Sequence, residues 1–183
     1  MVDERRPSSP THLPARDRLI VLCLAPPAWS PPGVDPHTWR FALAEAIVWP
    51  GMPVYPLPRL TSGTIFAAAS ADGYRQAAII AADAPDLPAM MIGKLLRPLS
   101  SRPLAVAPAV TGGLLGLAAT LPAPDWLPDV DLTVDPGVLR AAAPRPGLVA
   151  ISPAWHRLNG PDGLSRLDPG LEGWEATRAL LQG

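Results

Sequence analysis

The chain has 183 residues, a formal net charge of −1, and 48% hydrophobic against 17% charged residues. That length supports one domain with a real core, and the composition excludes a disordered polymer. The near-zero charge excludes recognition of nucleic acid or of an acidic membrane by bulk electrostatics. Cys23 is the single cysteine, so no internal disulfide and no cysteine-based zinc site can form. Within the run Leu19 to Leu24 it reads as a small core residue rather than a nucleophile. Basic charge is almost all arginine, and Ala and Pro are abundant, which suits a bacterial, GC-rich coding sequence.

Residues 1–17 are expected to be a disordered tail, and residues 18–183 a single domain. Met1 to Pro14 lacks the apolar centre of a signal peptide. No apolar stretch approaches the ~20 residues needed to cross a bilayer, so a cytoplasmic protein without a membrane partner is expected. Proline punctuates the chain into short elements.

In chain order, Arg18 to Leu24 predicts a strand buried on both faces, ending at Ala25-Pro26-Pro27. Asp35-Pro36 starts a helix, with an acid at the cap and proline in the first turn. Trp39, Leu43, Ala46 and Ile47 continue it at helical spacing to Pro50-Gly51. Met52 to Leu57 reads as a short strand, and Thr64 to Ala71 as a short helix closed by Asp72-Gly73.

Gln76 to Ala82 is a second buried strand, ending in Asp83. Pro88 to Arg97 is helical, with Met91, Ile92, Leu95 and Leu96 as its core stripe. Leu104 to Ala107 is a third buried strand, leading through Pro108 into Thr111-Gly112-Gly113. Val134 to Ala143 predicts a helix, Leu148 to Ile151 a strand, and Pro169 to Leu181 a closing amphipathic helix. The alternation predicts an α/β protein with a mostly parallel sheet in a three-layer α/β/α arrangement. Ligands of such sheets collect at the carboxyl ends of strands, which directs attention to Asp83 and to the Thr111-Gly112-Gly113 turn.

Three segments, in order, carry a resemblance. They are Ile79-Ile80-Ala81-Ala82-Asp83-Ala84-Pro85-Asp86-Leu87-Pro88, then Ala107-Pro108-Ala109-Val110-Thr111-Gly112-Gly113, then Ser152-Pro153-Ala154-Trp155-His156-Arg157-Leu158-Asn159. Together they resemble the small bacterial GT-A-like transferases of the radical-SAM-associated type, with phospholactate guanylyltransferase and the molybdenum-cofactor nucleotidyltransferases as more distant relatives. The resemblance implies the nucleotide-diphospho-sugar transferase fold and a glycosyl- or nucleotidyltransferase acting on a nucleotide or nucleotide-sugar. It also implies Mg²⁺ or Mn²⁺ held by aspartates at strand ends, hard ligands for a hard cation that bridges phosphates.

This chain departs from that pattern. Asp83 is kept as the implied metal ligand. The acid before Gly-Gly is Thr111, and the family's Asp-Val-Asp is Arg157-Leu158-Asn159. The basic phosphate-binding stretch near the N-terminus is Pro32 to Trp39, and the Gly-x-Arg that opens the next helix is Gly63-Thr64-Ile65.

The candidate ligand-binding residues are therefore Asp83, Asp86, Thr111, Gly112, Gly113 and Arg157, and each has a structural alternative. Asp86 could cap the following helix, and Asp83 could accept backbone N–H groups. Gly112-Gly113 could be a turn and nothing more. Arg157 could replace the metal's charge against phosphate oxygens, or be a surface arginine. Asp125, Asp129, Asp131 and Asp135 form an acid-rich stretch around Trp126 that fits either a cation or a solvated loop. Two function classes stay open. One is a transferase-like protein with a degenerate metal site; the other is a pseudoenzyme serving as a binding or protein-partner module.

Overall fold

The computed structural model describes residues 16–24, 29–45, 47, 54–58, 61–171 and 173–182. The expected tail, save its last two positions, and the expected stops at residues 25–27 and 50–51 lie outside the described residues. Within these residues six strands, β1 (Arg16–Leu24), β2 (Val54–Pro58), β3 (Tyr74–Ala81), β4 (Leu104–Pro108), β5 (Leu114–Thr120) and β6 (Val149–Ile151), form one sheet. Among the described residues, five helices connect and cover it: α1 (Pro36–Glu45), α2 (Ser62–Ala71), α3 (Ala89–Leu96), α4 (Pro136–Ala142) and α5 (Glu175–Gln182). The first strand opens at Arg16, inside the span expected as tail.

The strand order is β2-β1-β3-β5-β4-β6. All contacts are parallel except those of β5, which runs antiparallel to both β3 and β4. β5 is the element the sequence reading did not find. Its run Leu114-Leu115-Gly116-Leu117-Ala118-Ala119-Thr120 has no alternation and is buried from Leu114 to Ala119. It returns from the Thr111-Gly112-Gly113 turn as the second arm of a hairpin with β4.

The unbroken apolar runs follow from burial on both faces of the sheet. In β1, Leu19, Val21 and Cys23 join a core with Phe66 of α2 and Leu139 of α4. Ile20 and Leu22 point the other way, into a core with Leu95 of α3. Ile79 and Ile80 of β3 divide between the same two cores. Helices thus cover both sides of the sheet, the expected three layers.

A third cluster joins α1 to the chain's end: Trp39, Leu43, Leu158, Leu167 and Trp174. The buried Thr177 hydroxyl of α5 donates to the Ala42 carbonyl of α1 at 3.1 Å. The closing helix starts only at Glu175, and a short 3-10 stretch, Pro161–Arg166, precedes it. Leu158 makes this cluster matter for the site, because it lies beside Arg157.

Candidate functional site

Beyond β6 the chain keeps running along the sheet's carboxyl edge. The Ser152 amide donates to the Val106 carbonyl at 2.8 Å and the Trp155 amide to that of Pro108 at 3.2 Å. The Val110 amide returns a bond to the Trp155 carbonyl at 2.9 Å. Three residues on, the Leu158 amide donates to the Asp83 carbonyl at 2.6 Å. The segment thereby crosses from the end of β4 to the end of β3, bringing together residues that are seventy or more positions apart.

Two side-chain pairs result. The Arg157 guanidinium closes on the Asp83 carboxylate with two bonds, Nε to Oδ1 at 2.7 Å and Nη2 to Oδ2 at 2.8 Å. Its Nη1 donates to the Leu114 carbonyl at 3.1 Å. All three nitrogens of the fork are engaged, and the arginine and aspartate side chains are only 15% and 17% exposed. A planar fork against a carboxylate is the strongest ion-pair geometry available to side chains.

The second pair is one residue back and three residues on. His156 Nε2 lies 2.9 Å from each oxygen of Asp86, whose side chain is fully buried. Asp86 also accepts from the Asp168 amide at 3.0 Å and from the Trp155 indole N–H at 3.4 Å. Asp86 thus ties the end of β3 to the segment entering α5; it does not cap α3, whose N-cap position is Pro88 without a side-chain cap bond.

The turn between β4 and β5 has an equally local account. Gly112 and Gly113 have φ of +100° and +73°, a region L side chains rarely adopt. A Cβ on Gly113 would lie 2.7 Å from the Leu132 carbonyl oxygen. The Gly112 amide donates to the Ala109 carbonyl at 3.1 Å, closing the turn on itself. Exposed Thr111 accepts a bond from Asn159 Nδ2 at 3.2 Å.

Four of the positions where the resemblance implied acids are therefore joined in pairs, Asp83 to Arg157 and Thr111 to Asn159. The structure brings every candidate residue to the carboxyl edge and gives each a partner or a turn geometry within the protein. His156, Trp155 and Asn159 complete the cluster. None of the three was among the candidate ligand-binding residues, although the resemblance put Asn159 at a former acid position; pairings over such separations leave no local signal.

The donor set does not fit the implied Mg²⁺ or Mn²⁺. Such ions take about six oxygen ligands, usually with one or two carboxylates. Both oxygens of Asp83 face a guanidinium, and no group of three or more His, Cys, Asp or Glu that could hold a metal occurs among the described residues. The start of α2, where the Gly-x-Arg was replaced, is also satisfied internally: the Gly63 amide donates to Asp129 Oδ1 at 2.7 Å.

No family model matches the sequence, and no curated protein matches it. Solved structures do. One, from Desulfovibrio desulfuricans G20 and provisionally named a nucleotide-diphospho-sugar transferase, is 15% identical with a TM-score of 0.58. The alignment covers 92% of this chain and 98% of that one. Rv0371c of Mycobacterium tuberculosis H37Rv is 13% identical in its manganese complex, with a TM-score of 0.44 over 93% of this chain and all of that one. The first of these likenesses shows a shared fold, the three-layer, mostly parallel arrangement found above. No helix among the described residues is long and apolar enough to cross a membrane.

Proposed function

We propose that this chain is a transferase-like protein that binds a nucleotide or nucleotide-sugar at the carboxyl edge of its sheet without a divalent metal. In this reading it does not carry out metal-dependent group transfer. The observation that carries it is the two-bond pair of Arg157 with Asp83. A divalent ion assists transfer by neutralising phosphate oxygens and the leaving group. Here the acid kept as the implied metal ligand is neutralised by the chain's own guanidinium, so a second cation has little to gain at that point.

The ligand class rests on the fold shared with the Desulfovibrio protein and on the place where such sheets bind ligands. A thermal-shift titration with nucleoside di- and triphosphates and nucleotide-sugars, with and without Mn²⁺, tests it. A ligand at about 100 times its dissociation constant stabilises the fold by about 2.7 kcal/mol. Equal stabilisation with and without Mn²⁺ supports the proposal; stabilisation that requires Mn²⁺ overturns it.

One observation favours a second reading, a pseudoenzyme kept as a partner-binding module. Every nitrogen of the Arg157 fork and the Gly63 amide at the start of α2 are already bonded within the protein. These groups would have to exchange partners to hold a phosphate. Absence of any nucleotide effect in the same titration selects this reading.

A further inference from the structure

Away from the carboxyl-edge cluster, a groove of about 460 Å³ runs between α2 and the loop that follows β5. Its walls mix apolar residues, Ala67, Pro122 and Leu127 among them, with polar groups from Ser70 and Asp125. The groove exists because Gly63, Ala67, Ser70 and Ala71, on one side of α2, carry side chains too short to fill it. Its volume is within the range of small-molecule sites, which run from about 300 to 1,000 Å³.

The acid-rich stretch beside it sorts its carboxylates by task. Asp129 caps α2 through the Gly63 amide at 2.7 Å. Asp131 Oδ1 accepts the Thr133 amide at 2.8 Å, and Asp135 caps α4 by accepting the Gly137 amide at 2.7 Å. Asp125 alone of the four has no hydrogen-bond or ion-pair partner among the described residues, and it alone lines the groove. Among the described residues, no basic one lines the groove with it. The Ser62 hydroxyl is spent, donating to the Pro128 carbonyl at 3.3 Å and accepting from the Val130 amide at 3.0 Å.

We propose that this groove is a binding site for a small organic cation, an ammonium group on an apolar body, with Asp125 as its counter-charge. An unpaired carboxylate at the side of a groove with both apolar and polar walls complements that chemistry: the body removes the apolar part of the wall from water while the ammonium pairs with Asp125. The anionic counterpart of the same body meets like charge. A neutral one leaves the carboxylate without a partner.

The probes are 2-phenylethylammonium, the neutral 2-phenylethanol and the anionic 3-phenylpropionate, followed by calorimetry and thermal shift on the full chain. The ammonium should bind saturably, at least tenfold tighter than the alcohol, with no binding of the carboxylate. Asp125→Asn should weaken the ammonium about tenfold while leaving the melting temperature unchanged, because Asp125 is exposed and unbonded. Ala67→Trp, which places bulk in the groove from an exposed position of α2, should abolish binding with an unchanged circular-dichroism spectrum.

No saturable binding up to concentrations on the order of 10 mM, where affinity is weaker than about −3 kcal/mol, overturns the proposal. Equal binding of the alcohol overturns it too, as does unchanged affinity in Asp125→Asn or Ala67→Trp. None of the probes carries a phosphate, so either result leaves the nucleotide reading of the carboxyl edge to its own test.

Discussion

Arg157 and Asp83, seventy-four residues apart, form a two-bond ion pair across the carboxyl edge of the sheet, with distances of 2.7 and 2.8 Å. The segment that carries the arginine is pinned on both sides. The Leu158 amide bonds to the Asp83 carbonyl, and the Leu158 side chain is buried against α1 and α5. The pair is therefore part of how the last thirty or so residues attach to the sheet.

Truncating one partner of a largely buried ion pair leaves the other charge uncompensated, which costs about 3–5 kcal/mol. Arg157→Ala should lose stability toward the lower end of that range, since both groups keep some exposure. Arg157→Lys should rescue only part of the loss, because an ammonium cannot make the parallel two-bond contact and still reach the Leu114 carbonyl. Urea unfolding of the three proteins measures this. A loss below about 0.5 kcal/mol, the usual effect of an ordinary surface change, would show that the pair is not structural.

Asp86 is the more deeply placed acid and should be the more costly to remove. Its fully buried carboxyl serves the His156 ring, the Asp168 amide and the Trp155 indole. Asp86→Ala leaves those donors without an acceptor, at about 1–3 kcal/mol for each buried group so orphaned. Hydrogen exchange should show lost protection concentrated in the segment from Trp155 to Asp168. Uniform loss across the sheet would contradict this local tie.

The two glycines of the β4–β5 turn should differ. Both have positive φ, but only Gly113 faces backbone where a Cβ would stand, at 2.7 Å from the Leu132 carbonyl oxygen; Gly112 has nothing within 4 Å. Gly112→Ala should cost about 1 kcal/mol of conformational strain, and Gly113→Ala more by at least a further ~1 kcal/mol for the clash. Paired melting curves give the order, and equal losses would contradict it.

Asp35, one residue before α1, gives a pH prediction. Hydrogen bonds from the Thr38 amide and then the Thr38 hydroxyl hold its carboxyl below the ordinary value. A carboxyl depressed in the folded state stabilises it at pH values above the unfolded pKa, about 3.9, and that contribution is lost as pH falls through the lower folded value. Asp35→Asn should therefore flatten the acid limb of the stability curve while changing little at pH 7 in its pH dependence. Acid titration of wild type and variant by circular dichroism checks this; identical slopes below pH 4 would refute it.

Much of the fold was legible because burial on both faces leaves long apolar runs. Leu19 to Leu24, Ala77 to Ala81 and Leu104 to Ala107 each became a central strand. The same feature hid β5, whose Leu114 to Thr120 run follows a Gly-Gly turn directly and lacks β-branched residues until Thr120. The candidate residues Asp83, Asp86, Thr111 and Arg157 were legible one by one through resemblance. Their pairings were not, because Arg157 with Asp83, His156 with Asp86 and Asn159 with Thr111 are set by where the chain crosses the sheet edge.

The central claim, that Arg157 takes up the charge of the acid a metal would need, is tested most directly by titrating Mn²⁺ against the protein and following free Mn²⁺ by electron paramagnetic resonance. The wild-type chain should leave the free-ion signal undiminished at protein concentrations up to about 100 µM, equivalent to an affinity weaker than about −5.5 kcal/mol. Arg157→Asp, which frees Asp83 and adds a second carboxylate beside it, should deplete the signal. Depletion by the wild type that is abolished in Asp83→Asn would contradict the account.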